Sequence, residues 1–321
     1  MKKVLITGVA GFIGYHLAKS LLKKKIKIIG VDNLNSYYSV KLKKDRLSNL
    51  KNKNFIFIKC DIKNLSKLKS IFKKYNPNFV VHLAAQAGVR FSLKNPKNYL
   101  ENNVFGFFNI LEVCKEFKIR HLVYASSSSV YGNSKKAKLN INDRTSNPLS
   151  FYAFTKKSNE LMAYTYSNLH NIKTTGLRLF TVYGPWGRPD MSLHKFASAI
   201  IDKKTIEVFN YGKHKRSFTF IFDAINQIKK ITFKKPKKNF NIFNIGGGET
   251  IKLTEYIKII EKNLNTKAKQ SLITLQKGDV QNTAADIKST INETNYKPKT
   301  KIELGIKISI NWFLKYYKIK Q

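Results

Sequence analysis

The sequence predicts an α/β fold built on a doubly wound parallel sheet, and three observations predict it. Short runs rich in Val, Ile, Leu and Phe recur at residues 3–7, 27–32, 55–60, 79–83, 121–126 and 174–180. Continuous apolar runs of this length suit strands buried on both faces. Segments with helical spacing of apolar residues lie between them, at residues 13–24, 65–74, 99–117 and 152–169. A glycine pattern, GVAGFIG at residues 8–14, joins the first strand to the first helix. Strand and helix alternating in this way give a parallel sheet with helices on both faces, the Rossmann-type arrangement. Beyond Tyr183 the rhythm breaks into shorter, loop-rich elements, read as a smaller C-terminal α/β domain that completes a cleft. The first domain is expected to span residues 1–180, with about 218–248 returning to it, and the second residues 181–217 and 249–321.

Composition bounds the function. At 321 residues the chain suffices for one large or two modest domains with a well-buried core. Its 42% hydrophobic and 12% aromatic content is that of a folded protein and excludes disorder as the default. Sixty Lys and Arg against 19 Asp and Glu give a net charge of +41, which could serve a nucleic acid or a membrane surface. Lysine is abundant in every segment and forms no stripe or tail, so compositional drift is the better account and no nucleic-acid partner is expected. Cys60 and Cys114 stand alone, outside any metal-ligand spacing, so no metal site and a reducing compartment are expected. Residues 1–14 resemble a signal peptide in charge and hydropathy, but their spaced glycines and missing cleavage site tell against one. No run approaches the roughly 18 apolar residues that span a bilayer. A cytoplasmic protein with no membrane partner is the expectation.

The glycine pattern has a mechanical reading. Gly8 permits the tight turn, Gly11 lets a pyrophosphate approach the backbone, and Gly14 allows close helix packing. Unpaired N–H groups at the helix start then face the phosphates. The second strand ends at Asp32, which places a carboxylate where adenosine ribose hydroxyls would lie. An acid there repels a 2′-phosphate, so NAD is expected over NADP, although Arg46 nearby is a cation that such a phosphate could use.

A second pattern is Tyr152 with Lys156. Tyr followed four residues later by Lys occurs six times in this chain, so spacing alone selects nothing. Only Tyr152 both opens a long helical pattern and follows a strand ending in four serines, residues 126–129. In a parallel sheet that strand end faces the ligand crevice. A tyrosine hydroxyl has an ordinary pKa of about 10 and needs nearby positive charge to act as a base. Lys156, together with a nicotinamide ring, would supply it, and a serine hydroxyl could hold the substrate oxygen.

TGVAGFIG, VDNLNSYY, HLAAQAGVR, YASSSSVYG, SFYAFTKKSNELMAYTY, TGLRLFTVYGPWGRPDM and GDVQNTAAD, in this order, resemble the extended short-chain dehydrogenase/reductase family, and within it the UDP-glucuronate 4-epimerases. The resemblance runs from about Lys2 to about Tyr317. It implies Ser127, Tyr152 and Lys156 as the catalytic hydroxyl, base and lysine. For the cofactor it implies Gly8, Gly11, Phe12, Ile13, Gly14, Asp32, Asp61, Ile62 and Ala84, with Tyr152 and Lys156. Related dehydratases carry Asp and Glu after the catalytic hydroxyl; Ser128 and Ser129 stand here, so elimination is not expected. Thr181 stands where galactose-type epimerases commonly carry Asn.

The resemblance also gives Arg188 a role. A guanidinium forks onto a carboxylate as a lysine cannot. Arg188, with Thr181, Ser127 and Ser128, would surround the sugar C6 carboxylate, and Arg90 is a second candidate. Arg216 and Asp279 would lie near the diphosphate and uridine ribose. Two acids usual in the motif around Arg216 are Ser217 and Phe222 here. The implied activity is NAD-dependent inversion at C4 of UDP-glucuronate to UDP-galacturonate through a 4-keto sugar, by a homodimer. That intermediate is a β-keto acid, so the carboxylate must be held against loss of CO2. Decarboxylation to a pentose nucleotide, epimerisation of a neutral UDP-hexose, and a non-enzymatic nucleotide- or nucleic-acid-binding role remain alternatives on sequence.

Overall fold

The structure is a computed structural model, and it describes residues 2–134, 136–247, 249–275 and 282–319. Strands β1 (Lys3–Thr7), β2 (Lys27–Asp32), β3 (Phe55–Lys59), β4 (Phe79–His82), β5 (His121–Ser127) and β6 (Thr174–Leu179) fall where the apolar runs predict them. The others are β7 (Thr181–Tyr183), β8 (Thr205–Phe209), β9 (Lys215–Phe220), β10 (Phe240–Ile245), β11 (Thr250–Lys252), β12 (Lys269–Ile273) and β13 (Asn282–Thr283). The first six and β10 form a seven-stranded sheet in the order β10-β6-β5-β4-β1-β2-β3, parallel at every pairing. This is the expected Rossmann-type sheet. The order reverses between β1 and β4, and there the carboxyl ends of the strands open a crevice.

The helices are α1 (Phe12–Leu22), α2 (Val40–Ser48), α3 (Leu65–Tyr75), α4 (Val89–Lys94), α5 (Pro96–Tyr99), α6 (Gly106–Glu116), α7 (Phe151–His170), α8 (Ser192–Ile201), α9 (Ile221–Phe233), α10 (Leu253–Leu264), α11 (Lys288–Thr294) and α12 (Ile302–Tyr317). Strand side chains alternate between faces, which fixes the two cores. Val4, Ile6, Ile28 and Val81 share one core with Leu17 and Leu21 of α1 and Ile225 and Ile228 of α9. Leu5, Ile29, Val31 and Val80 share the other with Phe72 of α3 and Phe107 and Ile110 of α6.

Two sequence expectations need correction. Residues 99–117 are not one helix: a π-helical stretch, Leu100–Phe105, separates α5 from α6. The wide turn carries the buried Asn103, whose amide donates to Gln86 O at 3.0 Å and Thr155 Oγ1 at 3.1 Å and whose oxygen accepts from Gln86 N at 2.8 Å. Side-chain satisfaction, invisible to apolar periodicity, outweighs regular helix geometry there. The sixth strand also stops at Leu179 and not at Phe180. Phe180 N donates to Ile245 O at 2.9 Å, and from Thr181 the chain pairs instead with Phe218 on β9. The smaller sheet, β11-β9-β13 with β7 beside β9, therefore begins one residue from the large one. Among the described residues no helix is long and apolar enough to cross a membrane.

Candidate active site

A cavity of about 420 Å³ runs along the crevice. That lies within the roughly 300–1,000 Å³ typical of small-molecule sites. At one end it is walled by the glycine loop. Gly8 has φ +70°, and a Cβ there would lie 2.7 Å from Ala84 N. A Cβ on Gly14 would lie 2.2 Å from Gly8 O, so α1 can start against the turn only because Gly14 has no side chain. Gly11, Phe12, Ile13, Ile62 and Ala84 line the same cavity. Asp32 is buried at the end of β2, where its carboxylate accepts from Ala10 N at 3.1 Å and Leu34 N at 2.8 Å. Burial pushes its pKa up, against these two N–H groups and the charges of Lys43 and Arg46. The tight turn, the helix start and the carboxylate fit a dinucleotide whose ribose hydroxyls would meet Asp32.

Arg46 does not have the role a 2′-phosphate would require. It is fully buried, and its Nη1 donates to Ala10 O at 2.9 Å and to Tyr38 Oη at 2.8 Å. Its Nη2 donates to Trp186 O at 2.6 Å and Gly187 O at 3.2 Å. Those donors are committed to the protein.

At the middle of the crevice the serine-ended strand meets α7. Lys156 and Glu160 lie four residues apart on one helix face and dock it on β5. Lys156 Nζ donates to Ala125 O at 2.9 Å, and Glu160 accepts from Ser126 Oγ at 2.7 Å. Glu160 is in turn forked by the buried Arg178, with both N–O distances 2.9 Å. The Ser126 hydroxyl is thus spent on Glu160, and Ser126, Ser127 and Ser128 line the cavity with Tyr152, Lys156 and Thr181. Ser127 Oγ accepts from Ser129 N at 3.2 Å and Ser129 Oγ at 2.9 Å. This leaves the Ser127 proton for another partner, and its hydroxyl is the hydrogen-bonding neighbour of Tyr152.

The electrostatics differ in one respect from the sequence expectation. The Lys156 ammonium lies 5.9 Å from the centroid of the Tyr152 ring, bound to backbone. Burial lowers its pKa to about 8. Burial also raises the pKa of Tyr152, opposed by the Ser127 hydrogen bond and by Arg188. Arg188 therefore joins Lys156 as a cation beside Tyr152, and it opposes the rise in the Tyr152 pKa.

Arg188 reaches the cavity wall on the segment after β7. Its fork is half used, since Nε donates to Asp190 Oδ1 at 2.9 Å and Nη2 to Asp190 Oδ2 at 2.6 Å. Among the described residues Nη1 has no hydrogen-bond partner, so that end is available to a ligand. Sequence reasoning missed Asp190, and also Tyr37, whose hydroxyl donates to Asp190 Oδ2 at 3.3 Å. A carboxylate two residues from an arginine was the available signal. Nothing in the sequence pointed to a partner 153 residues away.

Three expected residues lie off this cavity and one cannot be placed. Arg90 sits 4.0 Å over the Phe209 ring, and Gly88 and Val89 line the cavity in its stead. Asp61 accepts from Asn33 Nδ2 at 3.1 Å and Lys63 N at 2.9 Å, beside the lining residue Ile62. Arg216 lies on β9 and donates to Lys215 O at 3.2 Å. Asp279 lies outside the described residues.

Fold and cleft together define a dinucleotide-binding α/β protein with a tyrosine, a lysine and a serine at its strand ends. A model of the NAD dependent epimerase/dehydratase family matches residues 4–246, and the chain belongs to that family. Protein CapI of Staphylococcus aureus is 45% identical over 98% of this chain and 99% of its own length. The UDP-glucuronate 4-epimerase of Thermodesulfobacterium geofontis is 43% identical over 96% of this chain and 95% of its own. The crystal structure of the UDP-glucuronic acid 4-epimerase from Bacillus cereus, in complex with UDP-glucuronic acid and NAD, has a TM-score of 0.93 and 32% identity, covering 98% of this chain and 100% of that one.

Proposed function

We propose that this chain is an NAD-dependent epimerase that inverts C4 of UDP-glucuronate to give UDP-galacturonate. The observation that carries the uronate reading is Arg188 on the cavity wall, near enough to Tyr152 to oppose the rise in its pKa, with one end of its guanidinium still open. Relatives that share almost the whole chain and act on the same sugar support it. NAD, held along Gly8, Gly11, Gly14 and Asp32, would supply a reversible hydride acceptor for C4.

The chain's own residues do the rest. Tyr152 accepts the C4 hydroxyl proton and later returns it, and Ser127 holds the C4 oxygen through the change. Lys156 and the open strand end orient Tyr152. Arg188, Thr181 and Ser128 hold the C6 carboxylate, while Arg216 and Asp279 take the diphosphate and ribose. Holding the carboxylate also protects the product: its bond to C5 must stay out of line with the C4 ketone π system, or CO2 leaves. Ser128 and Ser129, where dehydratases carry acids, leave no group there for elimination.

The two domains are assigned as residues 1–180 with about 218–248, and 181–217 with 249–321, an assignment supported by β10 lying in the large sheet. A two-fold dimer is assigned to the α6 and α7 face, where Phe105, Phe108, Phe154, Leu161 and Tyr164 are all exposed. Two unpaired cysteines support a cytoplasmic setting. The deciding experiment is incubation of the NAD-loaded protein with UDP-glucuronate and identification of the product by NMR. UDP-galacturonate is expected; a UDP-pentose would mean a decarboxylase, and unchanged substrate would reject the proposal.

A further inference from the structure

We propose that Arg46, His16, Tyr37 and Asp190 are positioning residues for Arg188, which fasten the segment carrying it to the dinucleotide-binding side of the cleft and fix which edge of its guanidinium meets the substrate. The proposal rests on the reading of Arg188 as the carboxylate-binding residue.

Three consecutive carbonyls before Arg188 are each held by a side chain from the first 46 residues. His16 Nε2 donates to Pro185 O at 2.8 Å, and Arg46 donates to Trp186 O and Gly187 O. The same guanidinium reaches Ala10 O inside the glycine loop, so one side chain bridges the expected pyrophosphate cradle and the substrate arginine's segment. Trp186 has φ +61°, a left-handed conformation that a bulky residue keeps only when its surroundings over-determine it. The surroundings are those carbonyl bonds together with the rings of Tyr15, Trp312 and Tyr316 packed on the indole.

Arg46 is an expensive way to pack a loop. It is 0% exposed, its hydrogen-bond partners are backbone carbonyls and a phenol, and its Nε finds no partner among the described residues. An apolar side chain of similar volume would fill the space without carrying a charge out of water. What it would not do is fix two carbonyls on one side and Ala10 O on the other in a rigid fork.

Asp190 completes the arrangement from the far side. It occupies the Nε and Nη2 edge of Arg188, and Tyr37, on the loop after β2, donates to the same carboxylate. Arg188 cannot turn that edge to the sugar without breaking its ion pair. A substrate carboxylate therefore meets one end of the guanidinium in one orientation, which is what holding C6 away from the C4 ketone requires.

The test uses NAD-loaded protein carrying Tyr37→Phe, Asp190→Asn or Arg46→Lys, titrated with UDP-glucuronate and with UDP-glucose, with product composition read by NMR. Affinity for UDP-glucuronate should fall about fivefold in Tyr37→Phe and about tenfold or more in the other two, while UDP-glucose changes by less than about threefold. The pentose share of product should rise in all three. Tyr37→Phe keeps the ring that packs 5.1 Å from Phe91, so it decides the matter should Arg46→Lys fail to fold. Equal changes for the two ligands, or none, in proteins that melt normally would overturn the proposal. Arg188→Ala separates it from the reading beneath: discrimination lost there but kept in the other variants refutes only the positioning role, and discrimination kept in Arg188→Ala refutes both.

Discussion

Replacing Lys156 with methionine should make the protein more stable and less active. Lys156 is 3% exposed, and burial alone lowers its pKa from 10.5 to about 8. A displacement of that size corresponds to about 3 kcal/mol of folding free energy lost to keeping the ammonium charged at neutral pH. Its hydrogen bond to Ala125 O returns about 1 kcal/mol. Methionine, of similar length and without charge, should therefore stabilise the dinucleotide-free protein by about 2 kcal/mol at pH 7. The sign follows from linkage. The folded pKa lies below the unfolded one, so between about 8 and 10.5 the unfolded chain binds more protons and the wild type gains stability as pH rises. The advantage of Lys156→Met should shrink through that window and vanish near its upper end. Urea denaturation at pH 7 and at pH 10 measures both points, beside an epimerisation assay that should show a loss of about a hundredfold or more. A variant less stable than wild type by the same amount at both pH values would refute the reasoning, since a merely structural lysine behaves in that way.

Tyr152→Phe should keep its fold and its NAD affinity yet lose about two to four orders of magnitude in epimerisation rate; a loss under about tenfold would move the base elsewhere. If the ribose hydroxyls meet Asp32 as proposed, and with the Arg46 donors committed to the protein, NAD(H) should bind at least about tenfold tighter than NADP(H) in a fluorescence titration. Asp32→Ser should narrow that gap. Light scattering at high salt, needed to screen +41 charges per chain, should report a dimer that Leu161→Glu on α7 converts to monomer.

The large sheet was legible because burial on both faces leaves a dense apolar run for each strand, and the first six strands each carry one. The tight turn and the carboxylate at the end of β2 were legible from residue type at fixed spacing, and Gly8, Gly11, Gly14 and Asp32 do line one cavity. Elsewhere the signal fails for stated reasons. Asn103 is inward on a π-helical turn because Gln86 and Thr155 satisfy it, and hydrogen-bond partners distant in sequence leave no periodicity. Arg46 read as a cation near the ribose site; two of its four partners are carbonyls 140 and 141 residues on. Arg90 read as a cation near the sugar, but the Phe209 ring draws it off. The serine run showed that hydroxyls gather at a strand end without showing that the Ser126 hydroxyl is spent on Glu160.

The placement of Arg188 beside Tyr152 has a consequence for the pH profile. Arg188 opposes the rise in the Tyr152 pKa, while the Lys156 ammonium is bound to Ala125 O. A uronate carboxylate seated on Arg188 offsets that positive charge, whereas a neutral hexose leaves it in place. The phenolate is then harder to form with the natural substrate than with a neutral one. The base works in its ionised form, so the acid limb of the pH–rate profile should lie at higher pH for UDP-glucuronate than for UDP-glucose. The limb can be followed for both sugars through the absorbance of transiently reduced nicotinamide, which does not require the neutral sugar to complete epimerisation. In Arg188→Ala the neutral-sugar limb should move up to where the wild type has its UDP-glucuronate limb, since neither then has a net positive charge at position 188 beside Tyr152. Coincident limbs in the wild type would mean that the carboxylate does not sit on Arg188 while Tyr152 takes the proton.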